Sequence, residues 1–528
     1  MTLRSRSALR LFGALACFIP LAACDGNRFG GYTSPNLNRD WRTDPASAGT
    51  APHEQANTEN YQRVVENDFV LAAREPRSTF SASVDTASYS LIRAKIHEGQ
   101  LPPKDAVRIA DLLNYFEYNY PKPQGDDPVA ATLEMAPCPW NTKHHLLRIA
   151  LAAKTLSAEE MPPRNFVFLV DTSGSMAPAN RLPLVKQSLL LLTNTLTPRD
   201  RVSIVTYAGD ASLRLDSTAG DQLGRIRSVI NALGASGSTN GGGGIEMAYQ
   251  QAAKSFIPGG VNRVILATDG DFNVGIASEG ELVRLVEDKR KTGVYLTVLG
   301  FGMGNLQDST LEQLAHHGNG HYAYIDTIDE ARKLFVEQGG ALAIVAKDVK
   351  LQVEFNHNRV HAYRLIGYEN RVLKNEDFRN DEKDAGDMGS GHTVTALYEI
   401  VPLGVDIPLA DAGNLKYQGK KSDTEAAKTG EWLTFRMRYK SPETEEAREI
   451  AFPLSKEGLR KSGSTDFRFA ASVAAFGLLL RDSEYKGTAN WADAKAWASE
   501  AIGRDRADLR RDFLDLLKRA EALSGKRD

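Results

Sequence analysis

Asp171-Thr172-Ser173-Gly174-Ser175-Met176 carries one carboxylate and two hydroxyls spaced two residues apart. It follows directly on Phe166-Val167-Phe168-Leu169-Val170, an apolar run bounded by turn residues that reads as a buried strand. The oxygen-bearing side chains therefore fall at the carboxyl end of that strand, where open α/β sheets bind ligands. Such side chains can converge on one hard cation, which prefers oxygen ligands. Two later segments offer more of them. Ser238-Thr239-Asn240 precedes four glycines and a helix start, and Asp269-Gly270 follows the apolar run 264–268.

The elements that must position these residues alternate. Strands are expected at 166–170, 202–207, 264–268, 294–299 and 321–325, with helices at 184–196, 222–233, 244–255 and 281–291 between them. The alternation predicts an α/β doubly wound, parallel sheet. Past residue 345 the pattern changes to strands at 349–355, 360–366, 393–401, 433–439 and 447–452, an antiparallel β domain. Strands at 130–135 and 146–152 precede the α/β unit and could join that domain, making the α/β unit an insertion in a β-sandwich. Helices are expected at 86–98 and 104–118, and again at 466–481, 491–503 and 506–523. The 466–481 segment is very apolar but contains Arg468 and is too short to span a bilayer, so it reads as a buried helix.

At 528 residues the chain is long enough for about three domains, and 42% hydrophobic with 25% charged residues is an ordinary globular composition. A formal net charge of −3 argues against a nucleic-acid partner. Arg4, Arg6 and Arg10 precede an apolar stretch ending in Leu21-Ala22-Ala23-Cys24, the layout of a secretory signal. The cysteine after the small residues resembles a bacterial lipoprotein box, which implies cleavage after residue 23 and lipidation of Cys24. Asp25 resembles the inner-membrane retention signal of enteric lipoproteins, so the expected location is a lipid anchor facing the periplasm. Cys17 would leave with the signal, and Cys138 alone would remain as a thiol, so no intramolecular disulfide is expected. The domain reading is a signal peptide at 1–23, a polar flexible tether at 24–77, a helical/β region at 78–163, the α/β unit at 164–338, a β-rich domain at 345–455 and a helical tail at 464–528.

The ordered set Asp171/Ser173/Ser175, Thr239 and Asp269 resembles the metal-ion-dependent adhesion site (MIDAS) of the von Willebrand factor type A domain, over roughly residues 164–338. The resemblance implies a Rossmann-like fold and direct metal ligation by the Ser173 and Ser175 hydroxyls. It implies that Thr239 binds directly or through water, and that Asp171 and Asp269 act mainly through water and by hydrogen-bonding the hydroxyl ligands. Asn240, Gly270 and Asp271 are outer-sphere candidates. Neutral hydroxyls leave a divalent cation underneutralised, so an open coordination position favours an anionic oxygen; in the family a partner's Asp or Glu often supplies it. Mg²⁺, or Mn²⁺, suits this oxygen set. The segments Phe80-Ser81-Ala82-Ser83-Val84-Asp85-Thr86-Ala87-Ser88-Tyr89 and Leu112-Leu113-Asn114-Tyr115-Phe116 resemble the N-terminal region of bacterial YfbK-like von Willebrand factor A lipoproteins. The segments 364–370 and 391–399 resemble that family's C-terminal region.

Other motifs carry less. Gly241 to Gly244 lacks the Lys-Ser/Thr of a phosphate-binding loop, and Gly300-Phe301-Gly302-Met303-Gly304 has the wrong spacing for a dinucleotide site. Gly318 and Gly320 interrupt any helix that would align His316, His317 and His321 on zinc. His144-His145 has no acidic neighbour in sequence, and Cys138, between two prolines, lacks a catalytic context. The function expected is therefore a membrane-tethered, metal-dependent protein-binding module that is not an enzyme. The alternatives are a structural cell-envelope lipoprotein with a stabilising metal and a metal-dependent hydrolase with Asp271 as base.

Overall fold

The computed structural model describes residues 57–83, 85–237, 242–270, 279–407 and 423–525. The α/β unit is built on a six-stranded sheet in the order Tyr322–Ile325, Tyr295–Phe301, Val261–Thr268, Arg164–Asp171, Arg201–Tyr207, Ala211–Ala219. The first five strands are parallel, as the alternation predicts. The sixth is antiparallel to Arg201–Tyr207, so the sheet is mixed rather than wholly parallel. Ala211–Ala219 is an edge strand with Arg214, Asp216 and Ser217 along it, and it has no apolar run to announce it.

Strand Arg164–Asp171 is buried on both sides because helices cover both faces of the sheet. Val167 and Leu169 face helices Gly242–Lys254, Glu279–Arg290 and Asp308–His317, whereas Phe166, Phe168 and Val170 face Leu182–Thr193, Leu223–Ala232 and Ile328–Arg332. This two-residue alternation is the pleat of a strand with two apolar faces. Helix Asp308–His317 was not anticipated; Gly318 caps it and ends the run.

The remaining strands form an antiparallel sandwich. One sheet runs Val70–Leu71, Val360–Ile366, Thr393–Pro402, Asn141–Ala153, Val129–Cys138. The other runs Val372–Leu373, Arg77–Ser81, Ile344–Phe355, Leu433–Lys440, Ala447–Leu454, with Gly386–Gly389 also on Ile344–Phe355. The chain leaves the first sheet at Asn141–Ala153, builds the α/β unit, and re-enters through Ile344–Phe355 of the second. The α/β unit is thus inserted in the sandwich.

Alternation along Asn141–Ala153 shows how the third layer attaches. Leu147, Ile149 and Leu151 enter the sandwich core with Phe80, Leu351, Tyr398 and Phe435. Leu146, Ala150 and Ala152 point the other way, onto a layer made of Ala87–His97, Ile109–Asn114, Thr465–Arg481, Trp491–Glu500 and Leu509–Ser524. Region 78–163 is therefore not one unit: its helices join the C-terminal helices and its strands join the sandwich. Helix Thr465–Arg481 is apolar on most sides because it lies inside this layer; Ser464 caps its first turn by accepting from the Phe467 N–H. No helix among the described residues is long and apolar enough to cross a membrane.

Two expectations change. The helix expected at 104–118 is a single turn at Lys104–Ala106 and a short helix, Ile109–Asn114, separated by extended Arg108. Arg108 is drawn into buried ion pairs with Asp111 and Asp308, which fix it outside a helix. The tether assigned to 24–77 ends earlier. Thr58 N–H donates to the Gly304 carbonyl (2.9 Å), Asn60 N–H to the Leu306 carbonyl (3.0 Å), and Glu59 pairs with Lys95 (2.6 Å). Backbone bonds and a buried ion pair hold this polar segment, so its lack of apolar clusters is a poor guide.

Candidate metal centre

Asp171 ends its strand, and the loop folds back over it because its Oδ1 accepts from the Ser173 N–H at 2.8 Å, a side-chain mimic of a backbone turn. A tight turn follows at Gly174–Met176. It brings the Ser173 and Ser175 hydroxyls to 2.9 Å from each other. On the adjacent strand, Thr268 Oγ1 donates to Asp171 Oδ2 (3.3 Å) and accepts from the Gly270 N–H (3.2 Å). Asp269 is the next residue, so both carboxylates stand at the carboxyl ends of neighbouring parallel strands. Asp171 and Asp269 are fully buried and Ser173 nearly so.

The third loop approaches from the end of helix Leu223–Ala232. Gly174 N–H donates to the Gly237 carbonyl (3.1 Å) and Ser236 N–H to the Thr172 carbonyl (2.8 Å). These bonds lay the segment that leads to Thr239 against the serine turn. Thr239, Asn240 and Asp271 themselves lie outside the described residues, as do Cys24 and Asp25. Gly270 contributes shape as well as its N–H. Its φ is +97°, and a Cβ there would meet Gln307 N at 2.6 Å.

Burial pushes the Asp171 carboxyl up to about 6, the neighbouring Asp269 adds to this, and hydrogen bonds from Ser173 oppose it. Asp269 has a cationic partner that the sequence did not announce. Arg181, just before helix Leu182–Thr193, donates to Asp269 Oδ2 (2.7 Å), to the Ser175 carbonyl (2.8 Å), to the Met303 carbonyl (2.8 Å) and to Asn305 Oδ1 (2.9 Å). It reaches one carboxylate, one side-chain amide oxygen and two main-chain oxygens. Thr268 is the other addition, an orienting hydroxyl hidden within an apolar strand.

The described donors fit a hard divalent cation. Two neutral hydroxyls converge beside two carboxylates, and Asp171 accepts from the Ser173 N–H and the Thr268 hydroxyl, both neutral. That is an oxygen set with excess negative charge in a place shielded from water.

The other candidate residues have separate surroundings. His144 Nδ1 lies 2.6 Å from Glu399 Oε1, a partner delivered by the neighbouring strand rather than by sequence proximity. Glu399 also holds Trp140 Nε1 (3.1 Å) and Arg364 (3.3 Å). His317 pairs with Glu287 (2.7 Å), His316 is exposed, and His321 packs its ring against His392. Burial raises the Cys138 thiol well above its usual range.

The von Willebrand factor type A domain family model matches residues 165–337, a von Willebrand factor model matches 55–148, and the model for the C-terminal region of YfbK matches 340–523. The uncharacterized protein YfbK of Escherichia coli (strain K12) is 42% identical over 475 residues, covering 88% of this chain and 82% of that protein. Human inter-alpha-trypsin inhibitor heavy chain H4 is 28% identical over 166 residues, 30% of this chain and 18% of its own length. Among solved structures, a von Willebrand factor type A protein from Catenulispora acidiphila covers 87% of this chain and 91% of its own at 14% identity and a TM-score of 0.42. The proximal thread matrix protein 1 of mussel byssus, with a zinc-occupied MIDAS motif, covers 34% of this chain and 45% of its own at 22% identity and a TM-score of 0.27.

Proposed function

The chain belongs to the YfbK-like family of von Willebrand factor type A proteins, and from that membership we propose that it is a membrane-tethered module that captures an acidic group of a partner protein through a divalent cation. Von Willebrand factor type A domains mediate protein–protein interactions, commonly with a divalent metal at the MIDAS. One observation carries the reading for this chain: the Ser173 and Ser175 hydroxyls, 2.9 Å apart, meet buried Asp171 and Asp269 at the ends of adjacent strands.

Ser173 and Ser175 would hold the cation, with Thr239 as a third ligand. When bound, the cation supplies a positive, incompletely neutralised centre for an anionic oxygen. The protein does the rest. Asp171 fixes the serine turn through the Ser173 N–H, Thr268 orients Asp171, and the fully buried strand ends keep bulk water from screening the centre. The role is binding, not catalysis, with Mg²⁺ or Mn²⁺ as the suited ion. The signal and the Leu21-Ala22-Ala23-Cys24 box support an anchor at Cys24, with Asp25 favouring the inner membrane and a periplasm-facing site.

Calorimetric titration with Mg²⁺ tests the centre. Wild-type protein should bind one ion, and Asp171→Ala should lose that binding while keeping a cooperative melt in EDTA. In cells, a photocrosslinker placed beside Thr239 should trap a partner in wild type but not in Asp171→Ala. Equal crosslinking in both would refute metal-dependent capture. For the anchor, Cys24→Ser should move the protein from the membrane to the soluble fraction.

A further inference from the structure

Arg181 is 11% exposed in its side chain and sits against fully buried Asp269 at 2.7 Å. It is not a solvated surface charge that happens to lie nearby. Four hydrogen bonds fix the guanidinium, and its stem packs on Gly302, where a Cβ would come within 2.3 Å of Nε. Among the described residues the centre thus holds two carboxylates and one fixed guanidinium, a formal charge of −1. A divalent ion added to that set leaves a buried net charge of about +1, which a low-dielectric site disfavours. An incoming carboxylate removes it.

Resting on the metal-dependent reading above, we infer that Arg181 couples the two ligands: it weakens the cation alone and makes the cation and a carboxylate bind together. By linkage, whatever factor the carboxylate adds to metal affinity, the metal adds to carboxylate affinity. Without Arg181 the two carboxylates would neutralise the divalent ion by themselves. The metal would then stay in place whether or not a partner was present, and the centre would attract acidic groups less. Arg181 is in this sense a positioning and charge-setting residue, acting through Asp269.

The experiment is titration of Mg²⁺ into the full chain, with and without a blocked aspartate peptide as the carboxylate probe. Wild type should bind Mg²⁺ weakly alone and about tenfold more tightly with the peptide. In Arg181→Met, Mg²⁺ alone should bind about tenfold more tightly or better, because a unit charge beside a divalent ion is worth that much even at the screening of bulk water. The peptide should then add little. Arg181→Lys keeps the charge and should restore weak, peptide-dependent binding, which a purely structural role for the four-bonded guanidinium would not. Weaker Mg²⁺ binding in Arg181→Met overturns the inference while leaving metal-dependent capture standing; no effect of the peptide on wild type overturns the inference and carboxylate capture together. If Arg181→Met does not fold, Arg181→Gln, which keeps hydrogen-bond donors without the charge, takes its place. If wild type takes up no Mg²⁺ with or without peptide, the metal-dependent reading itself fails, and the inference with it.

Discussion

The last helix of the α/β unit is bolted to the helical layer, and breaking the bolt has a calculable cost. Arg93 of helix Ala87–His97 donates to Asp326 (2.8 and 2.5 Å) and to Glu330 (2.7 Å), and reaches the Tyr115 hydroxyl (2.6 Å). Tyr115 donates in turn to Glu330 at 2.7 Å. Glu330 is 3% exposed and Asp326 7%, so Arg93→Ala would strand Asp326 away from water and leave Glu330 to Lys333 and the Tyr115 hydroxyl. Removing one partner of a buried pair costs about 3–5 kcal/mol. The loss should be local, since helix Ile328–Arg332 and the wider turn at Lys333–Glu337 can open without the sheets. At tenfold per about 1.4 kcal/mol, hydrogen-exchange protection of residues 328–337 should fall roughly a hundredfold or more. Adding Asp326→Asn to Arg93→Ala should recover part of it, because the penalty is the stranded charge. Arg379→Ala, which breaks an exposed pair with Glu449, should change protection by about fivefold at most. Protection at 328–337 within about threefold of wild type in Arg93→Ala would refute the claim that this network holds the helix.

Other outcomes follow from the same structure. Lys333, buried under the Tyr115 ring, is held down to about 8 by burial, against the pull of Glu330. The unfolded chain therefore holds more protons between about pH 8 and 10.5, and stability should rise across that window; Lys333→Met should flatten the rise in urea midpoints measured from pH 7.5 upward. Gly320→Ala would put a Cβ 1.7 Å from the Leu296 carbonyl oxygen and should cost several kcal/mol, read as a lowered melting temperature or failure to accumulate. Glu399→Ala would leave buried Arg364 and the His144 ring without their acceptor, and should cost about 3–5 kcal/mol by chemical denaturation. Mg²⁺ at about 100 times its Kd should stabilise the protein by about 2.7 kcal/mol, seen as a higher melting temperature that EDTA or Asp171→Ala abolishes.

What could be read in advance followed physical regularity. Strands such as Arg164–Asp171 and Asn141–Ala153 are buried on both faces, so they appear as continuous apolar runs, and the insertion could be inferred from where such runs changed spacing. The edge strand Ala211–Ala219 was invisible because a half-exposed strand carries no such run. Helix Asp308–His317 was hidden because its acids, Asp308 and Glu312, are buried against Arg108 and Arg371 rather than solvated, which blurs the apolar stripe. At the centre, Asp171, Ser173, Ser175 and Asp269 announced themselves by loop position. Arg181 could not, because its partner lies 88 residues away and nothing local distinguishes it from a surface arginine. The Glu399 acceptor of His144 was missed for the same reason: register across two strands, not proximity in sequence, brings them together.

The insertion has a mechanical consequence. The α/β unit is joined covalently to a strand of each sheet, leaving through Asn141–Ala153 and returning through Ile344–Phe355. Each of these is hydrogen-bonded to a strand on either side: Val129–Cys138 and Thr393–Pro402 flank the first, Arg77–Ser81 and Leu433–Lys440 the second. A load applied at the metal face therefore enters both halves of the sandwich at interior strands. It must shear many backbone bonds together instead of peeling one hairpin from an edge. Under the capture proposed above, that geometry would put the weak link at the captured carboxylate, so the grip would let go before its own scaffold does.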